Sequence, residues 1–289
     1  MSVAPEPQES PFGSTGARPG AVGFLTDVSL CIGCKACEVA CKQWNQLPAD
    51  GSVAGSGLTG FSYDNTGDLG ATTWRHVAFV EQTLASTGDL LAGLLGSAPP
   101  QTAWLMLSDV CKHCVNAPCL DACPTGAIIR TRFDTVVIQD DVCNGCGYCV
   151  PACPFGVPQL GEGDRGAHKC TLCYDRLVDG MEPACAKACP TDSIQFGPIS
   201  ELMPRAVERV TELQNRGVEL AHIYGDRASG GTGGINGLNA FFVLTAPPET
   251  YNLPASPQRP SDQVLPAFLT TAAAALGLGL AAMAALRGR

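Results

Sequence analysis

Sixteen cysteines in four runs of four constrain the fold of this chain more than any other feature. The first and third runs have the spacing C-x2-C-x2-C-x3-C. Between the second and third cysteines, the second run has two additional residues and the fourth run has eleven residues in total. The runs are Cys31, Cys34, Cys37 and Cys41; Cys111, Cys114, Cys119 and Cys123; Cys143, Cys146, Cys149 and Cys153; and Cys170, Cys173, Cys185 and Cys189. The chain must therefore fold so that four separate loops present thiols.

This spacing is typical of loops that bind [4Fe–4S] clusters. A cubane cluster has four iron corners, and three cysteines at i, i+3 and i+6 on a turning loop can reach three of them. The fourth cysteine follows where the loop enters a helix, so it points away and serves a neighbouring cluster. A proline follows the last cysteine in three of the runs and ends the helix there. Four runs of four thiolates predict four clusters.

Zinc and disulfides are the alternatives for a chain this rich in cysteine. Zinc sites usually show two separate C-x2-C pairs. Disulfides need an oxidising compartment, and cysteines at i, i+3 and i+6 are poorly placed to join two by two. The spacing favours iron–sulfur clusters, and a zinc-stabilised scaffold remains the alternative from another functional class.

Composition limits the possible functions further. Aromatic residues make up 6% of the 289 residues and charged residues 16%, which suits an interior filled partly by inorganic clusters. The formal charge is −9, and thiolate-bound clusters add negative charge. A nucleic-acid partner is excluded because phosphate binding needs a basic face. There is no nucleophile–base pair and no nucleotide fingerprint, so we predict no catalytic residues on this chain.

The chain divides into six segments by composition and motif. Residues 1–23 are rich in Pro, Gly and Ser, which predicts a disordered tail; they lack the basic start and apolar region of a signal peptide. The others are 24–110, the first run and a long insert; 111–157, an inner two-cluster ferredoxin unit; 158–200, the fourth run completing the outer pair; 201–262, a helix and Pro-rich extension; and 264–286. In the insert, Trp74–Val80 and Thr102–Leu107 are expected to be strands.

Internal repetition indicates two related halves. Thr125–Ile128 and Thr191–Ile194 follow Cys-Pro in the second and fourth runs and match each other in position and type. Sixteen residues separate runs three and four, whereas sixty-nine separate runs one and two. We therefore predict an α+β fold with a duplicated ferredoxin-like domain, in which run two pairs with run three and run one pairs with run four.

The last segment predicts a transmembrane helix. Residues 264–286 contain no charged side chain over twenty-three positions, which is long enough to cross a hydrocarbon core of roughly 30 Å. A buried Ala-rich helix is the alternative. Arg287 and Arg289 follow the segment, whereas Arg259 alone precedes it, which favours a cytoplasmic C-terminus and a cluster domain on the extracytoplasmic face. Lacking its own signal, such a chain would be exported with a partner.

Several stretches resemble the iron–sulfur (β) subunit of membrane-bound formate dehydrogenases, namely Cys31–Asn45, Cys143–Cys149 and His168–Cys173. The resemblance implies a single-pass subunit of the cell membrane without catalytic residues. It would relay electrons from a molybdopterin-containing catalytic α subunit, with molybdenum or tungsten, to a cytochrome b-type γ subunit and quinone. The cysteine frame alone is shared with four-cluster subunits of sulfur-compound reductases and hydrogenases, which remain the alternative.

The resemblance also implies how the four [4Fe–4S] clusters are shared among the runs. Set one is Cys31, Cys34, Cys37 and Cys189; set two is Cys41, Cys170, Cys173 and Cys185; set three is Cys111, Cys114, Cys119 and Cys153; and set four is Cys123, Cys143, Cys146 and Cys149. Two kinds of residue accompany these ligands. His113 is expected to support a cluster or lie at the surface rather than bind iron. Four lysines beside the loops are expected to tune cluster potentials, namely Lys35, Lys42, Lys169 and Lys187.

Overall fold

The protein is represented by a computed structural model that describes residues 20–48, 64, 67–84, 101–163, 165–227 and 233–287. Its strands are β1 (Val22–Asp27), β2 (Arg75–Leu84), β3 (Gln101–Val110), β4 (Ile128–Arg130), β5 (Val136–Ile138), β6 (Gln159–Leu160), β7 (Ala167–His168), β8 (Ile194–Pro198), β9 (His222–Tyr224) and β10 (Ala240–Leu244). Its α-helices are α1 (Ala36–Trp44), α2 (Pro118–Asp121), α3 (Cys149–Ala152), α4 (Tyr174–Val178), α5 (Ala184–Lys187), α6 (Ile199–Asn215) and α7 (Pro260–Arg287). Single turns of 3-10 helix cover Gly233–Ile235 and Pro248–Tyr251. This mixture of helix and strand agrees with the predicted α+β class.

The largest sheet has four strands in the order β8-β1-β10-β9. Strand β1 runs parallel to β10, with Phe24 opposite Ala240, and antiparallel to β8, with Phe24 opposite Phe196. All five residues of β10 are buried, so this apolar strand lies at the centre of the core. The helix α6 covers the sheet through its buried residues Leu202 and Ala206.

The prediction of a disordered tail over residues 1–23 is wrong for the last residues of that range. Strand β1 begins at Val22, inside the segment that composition assigned to disorder, and Ala21 is already buried. Gly23 is one of the glycines whose number predicted a disordered tail. In the structure it allows close strand contact, because a Cβ there would lie 1.8 Å from the carbonyl oxygen of Asn239. Residues 1–19 lie outside the described residues.

The remaining strands form three antiparallel hairpins. Strands β2 and β3 pair over ten residues, from Arg75 opposite Val110 to Leu84 opposite Gln101. Both strands expected in the insert are therefore confirmed, and both are longer than predicted. Strand β4 follows the second cysteine run and pairs with β5, which precedes the third run. In the same way, β8 follows the fourth run and pairs with β1, which precedes the first.

The helix predicted from the spacing of Leu202, Ala206, Val210 and Leu213 is α6, and Gly217 follows its end with a φ of +89°. An ionic contact fixes α6 to the loop before the first run. The Nε of Arg209 donates to Asp27 Oδ2 at 2.7 Å, and its Nη2 donates to Ser29 Oγ at 2.8 Å. This contact joins α6 to the start of the first cysteine loop.

The C-terminal helix α7 begins at Pro260, so the end of the Pro-rich extension is helical, which the composition did not predict. Proline is favoured at the first position of a helix because its missing N–H has no partner there anyway. Among the described residues, Pro260–Ala284 is the one segment whose length and hydropathy suit a membrane span, and none of it is buried. The alternative of a buried Ala-rich helix does not fit this exposure.

Candidate metal centre

Each cysteine run turns through a left-handed residue just before its second cysteine. The residues and their φ angles are Gly33 (+67°), His113 (+43°), Gly145 (+71°) and Leu172 (+58°). Glycine adopts this conformation freely, whereas other L-residues there cost about 1–2 kcal/mol. His113 and Leu172 are both almost completely buried, so their packing holds the strained backbone in place. All four loops therefore present their first two cysteines around a similar tight turn.

Short helices position the later cysteines of each run. The third cysteine lies within the first two residues of α1, α2, α3 or α5, and the fourth follows one turn later. Three of these helices end one or two residues before the fourth cysteine, which is followed by Pro124, Pro154 or Pro190. In the first run Lys42 takes the place of proline, and α1 continues to Trp44. Proline thus ends the helix as the sequence predicted.

Thiols from distant runs meet in two cavities that open to solvent. Cys31, Cys34, Cys37 and Cys189 line one cavity, together with Ser193. Another cavity, with about 280 Å³ of unfilled space including its opening, is lined by Cys123, Cys143, Cys146 and Cys149. These are sets one and four. Cys34 and Cys146 are exposed, so each of these sets reaches the protein surface.

The other eight thiols lie deeper. Cys170 has Cys41, Cys173 and Cys185 of set two among its strongest electrostatic neighbours, together with Cys111 of set three. Cys114 has Cys153, Cys111 and Cys119, which brings set three together. Seven of these eight cysteines are buried, and Cys153 is partly buried. The structure therefore brings the thiols of all four sets together, although cluster binding by these sets remains a prediction.

Burial favours the protonated form of several of these thiols until a metal is present. Burial raises the pKa of Cys37, Cys149 and Cys173 to about 11 each. Burial likewise raises the pKa of Cys119 to about 12, against the opposing effect of Lys169. Because iron binds the thiolate, insertion of a cluster must displace these protons.

The donor set fits iron–sulfur clusters better than a single ion. All sixteen cysteines are free thiols. Within the part of the chain that the structure describes, no group of three or more His, Cys, Asp or Glu side chains converges closely enough to hold one metal ion. Four thiols spaced around a wider volume suit a cube with iron at its corners. Zinc would instead need its ligands at about 2.3 Å from one point.

Buried cations surround the thiols, and the sequence revealed only one of them. Lys169 is almost fully buried and donates to the carbonyl oxygens of Val136 and Cys170. Of the other lysines named from the sequence, Lys35 pairs with Glu38 at 3.4 Å and Lys187 is exposed. Lys187 is therefore a weaker candidate for tuning a cluster than Lys169, whereas Lys35 lines the cavity of set one and its Nζ is buried.

Lys112 and Arg75 are buried cations that were not anticipated, because their burial depends on segments distant in sequence. Lys112 is 1% exposed, pairs with Asp109, and lies 5.2 Å from the ring centroid of Phe155. Arg75 is also 1% exposed and comes from the insert, thirty-four residues after Cys41. The only local signal for Lys112 is its place between the first two cysteines of the second run. No motif marks Arg75.

His113 is buried rather than at the surface. Of the two roles expected for it, the one that fits is support of a cluster. Its Nδ1 accepts a hydrogen bond from the backbone N–H of Val136 at 3.1 Å. Burial, together with the positive charges of Lys169 and Arg130, holds the pKa of His113 well below its usual value. The ring is therefore neutral and carries its proton on Nε2, which has no hydrogen-bond partner. That donor is available to an acceptor beside the cysteines.

Comparisons with known proteins agree with this donor set. A 4Fe-4S dicluster domain profile matches residues 102–199, and a 4Fe-4S binding domain profile matches residues 29–44. The B subunit of the anaerobic dimethyl sulfoxide reductase of Escherichia coli is 34% identical over 180 residues, covering 62% of this chain and 75% of that protein. These matches support iron–sulfur clusters as the groups that the cysteines bind.

A second group of relatives has higher identity to this chain than the dimethyl sulfoxide reductase subunit, and over more of its length. The formate dehydrogenase iron-sulfur subunit of Haemophilus influenzae is 41% identical over 241 residues, covering 82% of this chain and 70% of that protein. The iron-sulfur subunit of the nitrate-inducible formate dehydrogenase of Escherichia coli is also 41% identical, over 242 residues, covering 82% of this chain and 74% of that protein. These relatives are electron-transfer subunits, not catalytic ones. This chain belongs to the family of formate dehydrogenase iron–sulfur subunits.

Proposed function

We propose that this protein holds four [4Fe–4S] clusters in its four cysteine sets and uses them to relay electrons from a catalytic subunit toward a membrane subunit. The meeting of thiols from distant runs in four separate groups carries this proposal. When bound, such clusters accept and release single electrons at potentials that their surroundings set. The chain's own contribution is to hold the cubes, limit water access and supply nearby charge.

Electrostatic contacts between the sets support a linear order. Cys37 of set one interacts with Cys185 of set two. Cys170 of set two interacts with Cys111 of set three, and Cys119 of set three interacts with Cys149 of set four. Sets two and three are buried, whereas sets one and four reach the surface. The sets thus form a path from set one to set four, with access for electrons at both ends.

Exposed apolar side chains beside the two ends support two partner surfaces. Ile32, next to set one, is 59% exposed, and Val39 on α1 is 60% exposed. Tyr148, next to set four, is 61% exposed, and Val142 precedes the third run. Apolar patches of this kind suit protein interfaces. We assign one end to a molybdopterin-containing catalytic α subunit and the other to a cytochrome b-type γ subunit that delivers electrons to quinone.

The start of α7 indicates which end faces the membrane. Arg259 Nη1 lies 3.5 Å from Asp121 Oδ2 on α2, between Cys119 of set three and Cys123 of set four. The proposed transmembrane helix therefore begins beside the path from set three to set four. We infer that set four lies nearest the bilayer and the γ subunit, and that set one lies at the catalytic subunit. The two arginines after the apolar stretch of α7 favour an extracytoplasmic position for the cluster domain.

The matching strand pairs also support the predicted duplication. Strands β4 and β5 connect runs two and three as β8 and β1 connect runs four and one. We therefore propose the inner unit 111–157 and an outer unit formed by 24–110 and 158–200, extended by 201–262.

Formate is the proposed substrate of the catalytic partner because formate dehydrogenase iron–sulfur subunits share 41% identity with most of this chain. A sulfur-compound reductase or hydrogenase complex is the second candidate, favoured by the match to the dimethyl sulfoxide reductase subunit.

Metal analysis of the anaerobically purified complex tests the cluster proposal. We expect about sixteen iron atoms and about sixteen acid-labile sulfides in this chain, after subtraction of the contribution of its partners. Dithionite reduction should produce electron paramagnetic resonance signals of [4Fe–4S]⁺ clusters. A colourless chain with stoichiometric zinc would contradict the proposal. Assaying the same complex with formate and with dimethyl sulfoxide separates the two candidate substrates.

A further inference from the structure

Arg75 is a buried cation whose hydrogen bonds are only partly satisfied. It is the first residue of β2 and is 1% exposed. Its Nη1 donates to the carbonyl oxygen of Ser108 at 3.3 Å and to Ser108 Oγ at 3.0 Å. Its Nε and Nη2 have no hydrogen-bond partner. A buried guanidinium with unpaired N–H groups is costly unless an anion lies beside it.

Thiols of two cysteine sets surround this guanidinium. The charges that act on it most strongly are those of Cys185, Cys37, Cys170 and Cys41, in that order. Three of these belong to set two and one to set one. Burial lowers the pKa of Arg75, but the negative charge that these four cysteines carry once deprotonated outweighs burial and raises it, so the side chain stays charged. Arg75 thus lies beside set two, on the side that faces set one.

Packing fixes Arg75 in this position. The ring of Phe24 lies 4.8 Å from the guanidinium carbon and covers it. The carboxylate of Glu38 on α1 accepts a hydrogen bond from the backbone N–H of Val77, which ties β2 to the helix that carries Cys37 and Cys41. The insert between runs one and two therefore delivers a positive charge to the cysteines.

Ser108 extends this contact to set one. Its Oγ lies 3.2 Å from Cys37 Sγ and also accepts from Arg75. Arginine can only donate, so the hydroxyl proton of Ser108 is free to point at the sulfur. A chain of donors therefore runs from Arg75 through Ser108 to a cysteine of set one. The remaining N–H groups of Arg75 are available to set two, which supplies three of the four thiols that act on the guanidinium.

We propose that Arg75 is a positioning residue for electron transfer, donating hydrogen bonds to the cluster of set two and stabilising its reduced form. This inference rests on the proposed function, because it requires a cluster in set two. Reduction adds one electron and one negative charge to the cluster, and no bond or proton of Arg75 changes. A fixed cation and hydrogen bonds to sulfur both favour the more negative form and raise the reduction potential. Through Ser108, Arg75 also raises the reduction potential of the cluster of set one, by a smaller amount.

The test is a redox titration of the purified complex, followed by electron paramagnetic resonance. The signal of set two is assigned by its loss in Cys173→Ala. Arg75→Met removes the charge and the donors and should reduce the equilibrium constant for reduction of that cluster at least tenfold, which is about 59 mV for one electron. Ser108→Ala should shift mainly the signal of set one. Arg216→Met, at an exposed arginine just after α6, should leave every midpoint unchanged.

Unchanged midpoints in Arg75→Met, with full iron content, would overturn the proposal. If that variant binds less iron than the parent, Arg75→Lys and Arg75→Gln decide the question. Arg75→Lys keeps the positive charge, so the midpoint potential of set two should stay close to that of the unaltered protein. Arg75→Gln loses the charge and should have a lower midpoint potential. Equal midpoints in these two variants would also overturn the proposal. Iron content of the parent reports on the proposed function separately. A parent without iron would contradict the clusters, whereas an iron-replete parent with an insensitive midpoint would contradict only the role of Arg75.

Discussion

The residue before the second cysteine of each run controls how tightly its loop turns. Gly33 and Gly145 occupy this position in two runs, both with a positive φ. In the third run the space is also limited: a Cβ on Gly145 would lie 2.3 Å from the carbonyl oxygen of Arg165. Glycine is required there for two separate reasons, the backbone conformation and the close approach of another segment.

Gly145→Ala is therefore expected to damage the site of set four. Gly126→Ala is a matched control, because Gly126 has the same φ of +71° but nothing within 4 Å of its added Cβ. The control should lose only about 1–2 kcal/mol of stability and keep its iron. Gly145→Ala should in addition lose one of the four proposed clusters, measured by metal analysis of the anaerobic protein. Equal iron content in both variants would show that the close contact does not matter.

At the scale of elements, ionic contacts connect parts of the chain that are far apart in sequence. Arg209 of α6 bonds to Asp27 at the end of β1, whose side chain is almost fully buried. Asp27 Oδ1 also accepts from the backbone N–H and the hydroxyl of Ser29. The loop that leads into Cys31 is therefore held by a helix that begins 168 residues later.

We expect Arg209→Ala to lower the free energy of unfolding by about 1–3 kcal/mol, because it leaves a buried carboxylate with fewer hydrogen bonds. Arg205→Ala removes a neighbouring arginine whose contact with Glu201 is exposed and 3.7 Å long. That control should change stability by less than about 0.5 kcal/mol. Anaerobic thermal denaturation measures both. Similar melting temperatures for the two variants would contradict a role for the contact with Asp27.

The helix α7 is a second element whose role depends on its surface. Leu276 near its centre is 69% exposed and has no protein to pack against among the described residues. If α7 spans a bilayer, Leu276→Asp adds about 2.5–3.5 kcal/mol to the cost of insertion. The variant, produced without its partner subunits, should leave the membrane fraction after alkaline extraction. Gln263→Asp at the helix start should remain there, and equal partition of the two variants would argue against a membrane span.

At the scale of the whole molecule, the four thiol groups form one path with two surface ends. The buried cations lie along the inner part of that path: Arg75 beside set two, and Lys112 and Lys169 beside set three. A low-dielectric interior strengthens charge interactions, so these few cations can offset much of the negative charge of the clusters. Lys187, the exposed lysine among those named from the sequence, has far less influence because water screens it.

Removing a cysteine of set two should therefore stop electron transfer from set one to sets three and four. In the complex with its catalytic partner, Cys173→Ala should allow substrate to reduce set one but not sets three and four, as observed by electron paramagnetic resonance. Met181→Ala, at an exposed residue of the same segment, should leave all signals reducible. Reduction of every remaining set by substrate in the cysteine variant would mean that electrons do not pass through set two.

Local features of the sequence determined the chemistry of this protein. Cysteine spacing, Cys-Pro pairs and an uncharged apolar segment predicted the loops, the short helices and α7, because each depends only on neighbouring residues. Tertiary structure alone decided that Gly23 belongs to the central sheet, that Arg75 and Lys112 are buried among thiols, and which sets reach the surface. Those features arise from strand pairing and charge contacts between residues up to about two hundred positions apart. No local pattern encodes them, since the partners meet only when the chain has folded.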